Sequence, residues 1–379
     1  MITTAYLFIR YDKAKSIGVV VGIVISMFLI GQQIGILTFL TGLMGGLVAN
    51  SDRTVGQIWV VDNITKNANE LSPLDERLVR QIRSINGVRE TFPIVIGAAT
   101  VTFDNGKTAP IMVIGSEAPA FAGGPSLDKV FRGERQDLVS EDAVSAEYFD
   151  AQTFNHTVDV GTSVEINGSH ARIAVQTKNA RGFAGAFFFT TLSRARMYTG
   201  SANSKVSAIA VQGLPGANLD SICLAIDRSM VGVHAWKSTD LERATIGFIT
   251  VTSNIGVSIG SLVVFAVISG FFIIGLTLYS SALDRLKDYG TLKAIGATNA
   301  YVRNLILMQA LLFAITGFAL AVILLEVFRV GVAKSGLTYS YSPLVMGGLF
   351  LVTVFISVGG SLFAVRKVNS VEPASVFRG

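Results

Sequence analysis

The residue types that most often catalyse reactions are scarce in this sequence. Cys223 is the only cysteine, which excludes an intrachain disulfide and any CxxC metal or redox site. The three histidines are His156, His170 and His234, and no two of them have the i,i+4 spacing of zinc ligands on a helix. We therefore expect no metal site and no catalytic residue in this chain.

One short motif superficially resembles a nucleotide-binding loop. Gly106 is followed by Lys107 and Thr108, as at the end of a P-loop. The phosphate cradle also needs a glycine five positions before Gly106, and that position is Val101. The motif is better explained as a hairpin turn, so we expect the chain to bind no cofactor and to hydrolyse no ATP itself.

The segment 282–298, with the sequence ALDRLKDYGTLKAIGAT, combines charge with ordered apolar residues. Its apolar positions recur at helical spacing and are Leu283, Leu286, Tyr289, Leu292 and Ile295. This pattern predicts a short amphipathic helix whose apolar residues dock against something. The alternative is an ordinary basic loop.

Long apolar windows flank this segment. Half of the 379 residues are hydrophobic, 15% are charged and the mean hydropathy is +0.54, which indicates an integral membrane protein. Four windows lack Asp, Glu, Lys and Arg, and each is long enough to cross a bilayer: 16–51, 244–283, 304–325 and 335–365. The first two exceed one span and predict helices that continue beyond the membrane as a stalk. A cleaved signal peptide fits the first window poorly, because its apolar run is too long.

The flanking charges predict the orientation. The segments before the first window, between the second and third, and after the fourth carry a net charge of +6, and basic residues are retained in the cytoplasm. Both termini are therefore expected inside, with residues 52–243 and a short loop at 326–334 outside. Residues 52–243 have a net charge of −2, so we expect no nucleic-acid partner.

Small and polar residues inside the spans are candidates for helix contacts. Glycines spaced i,i+4 let helices approach closely and predict a dimer interface; the candidates are Gly18, Gly22, Gly31, Gly35, Gly256 and Gly260. Gln32 and Gln33 lie deep in the first span, where an unpartnered amide is costly. They are expected either to bond a neighbouring helix or to contact a transported molecule.

The 52–243 segment is predicted to fold as an α+β domain. A strand at 56–62, a helix capped by Ser72 and a hairpin around Asn105-Gly106 form a β-α-β-β unit. A strand at 206–211, a helix at 219–230 and a strand at 231–236 repeat the pattern. Between them lies a β-rich region, about 119–203, with a hairpin at 164–175. We interpret it as an insertion that splits one subdomain into halves at about 52–118 and 204–243.

The segment 288–298 and the following 303–311 resemble the E-I-G-x-x-[KR]-A-x-G-A signature of the FtsX-like permease domain. The tail 366–378 is similar to the end of that domain. The family is the MacB/LolC/FtsX type of ABC transporter permease, and the first span with 57–62 resembles its DevC branch in particular. Asp288 and Tyr289 stand where the family usually has Glu and Ile, so the docking surface is expected to be shaped for a particular ATPase.

The resemblance implies the following organisation: a cytoplasmic N-terminus at 1–15, a transmembrane and stalk helix at 16–51, a MacB-like periplasmic domain at 52–243 with a Sabre-like insertion, and a permease domain at 244–379 with helices at about 247–281, 304–328 and 342–365. The fold class is thus a four-helix membrane protein with a large α+β periplasmic domain between helices 1 and 2.

The family's coupling helix contacts a separate ATPase. On this sequence the resemblance assigns that role to Arg285, Lys287, Asp288, Tyr289, Gly290, Lys293, Gly296 and Ala297. It also implies a homodimer, membrane lipids as neighbours, a periplasmic adaptor and an outer-membrane channel. ATP and Mg would be bound by the ATPase.

We therefore expect a non-catalytic subunit of an ATP-driven exporter in a bacterial inner membrane, which moves an amphiphile or a periplasmic molecule. Two alternatives remain open. One is an FtsX-like transducer that activates a periplasmic cell-wall hydrolase, and the other is a LolC-like subunit for lipoprotein extraction.

Overall fold

The computed structural model describes residues 2–11 and 13–369, so Asp12 and the tail from 370, with Glu372 and Arg378, lie outside the described residues. The chain divides into two compact units. The helical unit comprises the chain up to Thr38 and from Ile255 onward, and the inserted domain comprises Phe39–Asn254.

The helices in chain order are α1 Ile2–Tyr11, α2 Lys13–Met44, α3 Gly46–Ala49, α4 Arg77–Arg83, α5 Asp150–Phe154, α6 Leu192–Thr199, α7 Leu219–Ser229, α8 Ser238–Thr252, α9 Ile255–Asp284, α10 Leu286–Ala294, α11 Asn299–Ala333 and α12 Pro343–Asn369. Two short 3-10 helices lie at Leu127–Lys129 and Arg135–Val139.

The strands are β1 Ile58–Asp62, β2 Leu74–Asp75, β3 Val88–Thr102, β4 Thr108–Ser116, β5 Val130–Arg132, β6 Ala143–Glu147, β7 Ser163–Ile166, β8 Ser169–Thr177, β9 Ala186–Thr191, β10 Lys205–Val206, β11 Ala208–Gly213 and β12 Val233–Lys237.

Within the described residues, four helices are long and apolar enough to cross a membrane. They are α2, α9, α11 and the Pro343–Val368 part of α12, with mean hydropathies of 2.2, 2.5, 2.5 and 2.2. Lipid offers no hydrogen-bond partners to the backbone, whereas an α-helix pairs its own N–H and C=O groups. These apolar runs are therefore stable inside a bilayer as helices. The predicted fold class, with four such helices and a large mixed domain between the first and second, is confirmed.

The two over-long windows do not form single helices, so the start predicted at about 247 for the second membrane helix is wrong; that helix, α9, begins at Ile255. The second window is interrupted at Ser253 and Asn254, between α8 and α9. Asn254 adopts a left-handed conformation with φ of +56°, which asparagine tolerates better than most residues. The hydroxyl of Ser253 bonds the carbonyl of Ile249 at 2.5 Å and helps to end α8. The first window is likewise divided, because α2 ends at Met44.

Residues 326–334 are mostly helical instead of forming the predicted loop. α11 continues to Ala333, and the connection to α12 covers 334–342. Glu326 and Arg329 pair across one helical turn at 2.7 Å, so their charges do not interrupt the helix. At its other end, α11 begins earlier than predicted because Thr298 accepts a hydrogen bond from the amide of Tyr301.

The inserted domain is built on the strand order β12-β1-β11-β3, with every neighbouring pair antiparallel. With α4 between β1 and β3, and α7 between β11 and β12, the chain follows the β-α-β-β-α-β pattern of a split βαβ fold. β1 is an internal strand of this sheet, since Trp59 lies opposite both Ala210 in β11 and Trp236 in β12.

The β-rich insertion is joined to this sheet through β3. The first half of β3 pairs with β11, whereas its second half pairs with β4 and β7. β4 pairs in parallel with β9, so it belongs with the insertion and the boundary expected at 118 falls instead within β3. Both predicted hairpins are present; Asn167 and Gly168 have φ of 48° and 82°, as a tight turn between β7 and β8 requires.

The helix start predicted at Ser72 is wrong. Leu74 and Asp75 form β2, which pairs with β10, and α4 begins at Arg77. The Asp75 carboxylate accepts a hydrogen bond from the Arg77 amide at 2.8 Å. Pairing with β10, a strand far along the chain, thus prevents the helix from starting at the predicted cap.

A buried ion pair secures the start of the inserted domain. Asp52 and Arg135 are 2.6 Å apart, and their side chains are 9% and 10% exposed. Thr54 donates two more hydrogen bonds to the same carboxylate. Burial raises the pKa of Asp52, but the hydrogen bonds from Arg135 and Thr54 outweigh it and hold the pKa below its usual value.

We predict that Asp52→Asn lowers the unfolding free energy of the inserted domain by about 3 kcal/mol at neutral pH, because it leaves Arg135 buried without its counter-charge. The melting temperature should fall by roughly 6–12 °C. A depressed carboxylate pKa stabilises the fold above the unfolded-state pKa and ceases to do so as pH falls, so the difference should narrow below about pH 4. Fluorescence of Trp59 and Trp236 reports on this domain alone, since the chain has two tryptophans.

Asp159→Asn is the matched control. Asp159 pairs with Arg132 at 3.0 Å, but both side chains are more than half exposed. Its loss should cost less than about 1 kcal/mol. Equal effects of the two substitutions would contradict the importance of the buried pair.

Candidate coupling site

The predicted amphipathic segment forms a discrete short helix, α10, between α9 and α11. Its end is a Schellman motif: the Ala297 amide bonds the Leu292 carbonyl at 2.9 Å and the Gly296 amide bonds the Lys293 carbonyl at 3.0 Å. Gly296 has a φ of +104°, which other residues adopt only with strain. The chain thus turns sharply after α10 and enters α11 at once.

α10 presents two different faces. Successive residues of a helix are about 100° apart, so positions 286, 289, 290 and 293 share one face. Tyr289 and Gly290 on this face are buried, and Leu286 packs against the main core of the helical unit. The opposite face is exposed and consists of Lys287, Asp288, Thr291, Ala294 and, just past the helix, Ile295.

Tyr289 anchors the buried face. Its side chain is 2% exposed and belongs to the same apolar cluster as Val302, Ile306 and Val368. Burial raises the pKa of its phenol to about 12, so the ring enters this cluster uncharged. Tyr289 and Gln309 also line a small, partly open pocket of about 20 Å³, which has room for one water molecule.

A second attachment ties α10 to the end of α12. The Lys293 ammonium donates a hydrogen bond to the Val368 carbonyl at 2.8 Å. A cation at a helix C-terminus is favourable because it meets the negative end of the helix dipole. α10 therefore contacts the ends of three long helices: α9 through the chain, α11 through Tyr289, and α12 through Lys293.

The exposed face corrects one sequence expectation. Leu286 and Ile295 were expected on the same docking stripe, but nine residues at about 100° place them on opposite sides of the helix. Residues spaced three apart are about 300° apart around a helix, so each one is displaced by about 60° from the one before. The apolar residues at this spacing are therefore divided between the two faces of α10. Ile295 is 78% exposed, whereas Tyr289 points into the bundle. The pattern missed Thr291 and Ala294, which lie beside Lys287 and Ile295.

The remaining candidate residues flank the helix. Arg285 precedes α10, is half-buried, and lies 5.9 Å from the ring of Tyr11 in α1. Ala297 is half-buried against the main core, and Gly296 is exposed. Of the eight predicted coupling residues, the structure brings Lys287, Asp288 and Gly296 to the solvent and uses the others to hold α10 in place.

The candidate dimer glycines fall into two groups. Those of α2 pack within the chain: a Cβ added to Gly22 would lie 2.9 Å from Ile273, one on Gly31 2.6 Å from Leu325, and one on Gly35 2.5 Å from Tyr339. Gly18 faces Thr277 more loosely. Close packing of α2 against its own bundle therefore accounts for the small size of Gly22, Gly31 and Gly35, whereas a side chain at Gly18 would make only an ordinary contact.

The second group lies on α9. Gly256 is half-buried, and Gly260 is exposed, with no described atom within 4 Å of where its side chain would begin. Contact with a second copy through this part of α9 stays a prediction.

Gln32 and Gln33 are both half-buried in α2. The Gly31 carbonyl beside them accepts a hydrogen bond from the Tyr341 hydroxyl at 2.9 Å, which links α2 to the connection before α12. The predicted roles of the two glutamines, an interhelical bond or contact with a transported molecule, stay open.

Part of this chain matches the model of a known protein family. Residues 260–373 match the family model described as FtsX-like permease C-terminal. The chain is 27% identical over 371 residues to an uncharacterized ABC transporter permease of Mycobacterium tuberculosis, covering 94% of this chain and 95% of that protein. It is 24% identical over 372 residues to another from Mycobacterium bovis, with the same coverage.

Among solved structures, the periplasmic region of MacB from Actinobacillus actinomycetemcomitans is similar at 11% identity with a TM-score of 0.39, covering 50% of this chain and 94% of that one. The extracellular domain of the transporter YknZ from Gram-positive bacteria is similar at 14% identity with a TM-score of 0.34, covering 47% and 98%.

The family resemblance predicted from the α10 segment is confirmed: residues 260–373 match the FtsX-like permease C-terminal model, and the chain is similar over nearly its whole length to ABC transporter permeases.

Proposed function

We propose that this chain is the membrane subunit of an ATP-driven exporter of the mechanotransmission type. A separate cytoplasmic ATPase pushes on α10, and the long helices carry that movement to the inserted domain in the periplasm. The subunit works as a dimer, together with an adaptor and an outer-membrane channel, and moves an amphiphile or a periplasmic molecule outward. The chain itself performs no chemistry.

The observation that carries the proposal is the two-faced attachment of α10. Its buried face is held by Tyr289 and Lys293, so a force on the helix is transmitted to α11 and α12 instead of being absorbed by a loose loop. Its other face leaves Ile295 78% exposed on the side of the helix that also presents Lys287 and Asp288. An exposed apolar residue with a charged surround has the composition of a protein interface.

The charge distribution supports the orientation. The basic residues of 285–303 and those before the first apolar window favour the cytoplasmic side. On that side α10 is accessible to an ATPase, and the inserted domain is then outside.

We predict that Ile295→Asp weakens binding of the ATPase subunit at least tenfold. Burying isoleucine at an interface contributes about 1.5–3 kcal/mol, and about 1.4 kcal/mol corresponds to a factor of ten. Binding is measured by titrating the purified ATPase against the permease in nanodiscs.

Val231→Asp, at a fully exposed apolar position of the inserted domain, is the matched control and should bind the ATPase normally. Unchanged binding by Ile295→Asp would refute α10 as the docking surface.

We predict that Tyr289→Ala uncouples hydrolysis from movement. Removing the ring leaves a cavity beneath α10, so the ATPase should still hydrolyse ATP while the ATP-dependent change in Trp59 and Trp236 fluorescence falls severalfold. Tyr289→Phe keeps the packing and should retain most of the signal. A full fluorescence response in Tyr289→Ala would show that α10 does not carry the movement.

A cysteine scan tests the orientation. In spheroplasts, a membrane-impermeant maleimide should label Val231→Cys and should label Lys287→Cys only after the membrane is broken. Burial raises the pKa of Cys223 to about 12, so little thiolate forms at neutral pH and background labelling is slow. Labelling of Lys287→Cys from outside would invert the topology and exclude a cytoplasmic ATPase partner at α10.

A further inference from the structure

An open apolar groove of about 480 Å³ runs between α1, α2 and α11 in the helical unit. Its walls are mainly aliphatic and include Ile17, Val20, Val21, Leu312, Phe313 and Leu320. Ile17 remains 62% exposed and Leu320 49% exposed, so the described residues leave the groove uncovered.

The polar groups in the groove are already satisfied. The Ser16 hydroxyl bonds the Ile9 carbonyl at 2.8 Å, and the Thr316 hydroxyl bonds the Leu312 carbonyl at 2.9 Å. With these hydroxyls occupied, the groove is suited to hydrocarbon and poorly suited to a polar solute, which would lose its own hydrogen bonds on entering.

The groove is long enough to hold most of one acyl chain. Eight residues separate Leu312 from Leu320, which corresponds to about 12 Å along α11. One leaflet contributes about half of the 30 Å hydrocarbon core, so the groove spans most of one leaflet.

One end of the groove is basic. Lys13 precedes Ser16, Ile17, Val20 and Val21 by 3, 4, 7 and 8 residues, so it lies on the same face of α2, one turn beyond the groove. Arg10 follows Ile9, which lines that same end. Both basic side chains are exposed.

We propose that this groove is a specific site for one anionic phospholipid, with an acyl chain between α2 and α11 and the phosphate headgroup at Lys13 and Arg10. The apolar walls of the groove favour a hydrocarbon chain, and the two basic side chains favour a negatively charged headgroup. The bound lipid fills the space between α1, α2 and α11 and so stabilises α1 against the bundle. The proposal is independent of the ATPase and of the exported molecule.

The test uses tryptophan quenching by brominated lipids. Leu320→Trp places a reporter at the rim of the groove, and Leu276→Trp places one on α9, where the side chain is 64% exposed but lies outside the groove. The native tryptophans, Trp59 and Trp236, both lie in the inserted domain, so their signal is subtracted using the parent chain. Each full-length variant is reconstituted with brominated phosphatidylglycerol or brominated phosphatidylcholine in unbrominated phosphatidylcholine.

We expect phosphatidylglycerol to bind at least about fivefold more tightly than phosphatidylcholine at the Leu320 reporter, and equally at the Leu276 reporter, because each basic residue near a membrane surface contributes about a fivefold preference. Lys13→Gln combined with Arg10→Gln should bring the ratio at Leu320 to about one. Arg303→Gln is the matched control, since Arg303 is exposed and nine residues before Leu312, on the opposite side of α11, and it should leave the ratio unchanged.

A ratio near one at Leu320 in the otherwise native chain would overturn the proposal and make the groove a site for any lipid. Absence of quenching there by either lipid would also overturn it and would indicate that a second copy covers the groove. If the tryptophan variants do not fold, native mass spectrometry of the unmodified chain decides. Retention of phosphatidylglycerol that is lost in Lys13→Gln supports the site, and equal loss of both lipids refutes it.

Discussion

The burial of Tyr289 is the interaction on which the functional interpretation of this structure depends. A nine-residue helix has little stability by itself in water, so α10 keeps its place because one face is buried against the bundle. The Tyr289 ring and the Lys293–Val368 hydrogen bond attach that face to two different long helices. The other face is consequently held at a fixed position with Ile295 exposed. The proposed docking of an ATPase on α10 requires this, because a force on a fixed helix also moves the long helices attached to it.

The helical unit is held together by close approach more than by polar contacts. Gly22, Gly31 and Gly35 bring α2 against side chains of α9, α11 and the connection before α12. In a membrane there is little hydrophobic drive between helices, so van der Waals contact at small residues and a few hydrogen bonds must stabilise the bundle. The Tyr341–Gly31 hydrogen bond is one of these. Near the N-terminal end of α2 the helices are less closely packed and leave the apolar groove open. An acyl chain bound there would supply the van der Waals contacts that neighbouring helices supply elsewhere.

The inserted domain solves a different problem, because it must form a core in water. β1 lies between β11 and β12, so strands from both ends of the domain are hydrogen-bonded to one another. The long strand β3 serves both the split βαβ sheet and the insertion, which makes the two parts one continuous sheet instead of two linked modules. The buried Asp52–Arg135 pair joins the start of the domain to the insertion.

The amino-acid sequence by itself determined the features that depend on local composition and short spacing. Charge-free windows of 22 to 40 residues can be stable in a bilayer only as helices, and Asn-Gly dipeptides prefer tight turns, so the four spans and both hairpins were predictable. Tertiary structure decided what depends on distant partners. β2 formed just after the expected cap at Ser72 because β10 pairs with it, and the second window was interrupted at Asn254. Packing against the bundle buried the face of α10 that carries Tyr289 and left Ile295 exposed. The physical reason is that periodicity shows which residues are apolar, whereas the face that each one buries is set by the elements that the rest of the chain packs against it.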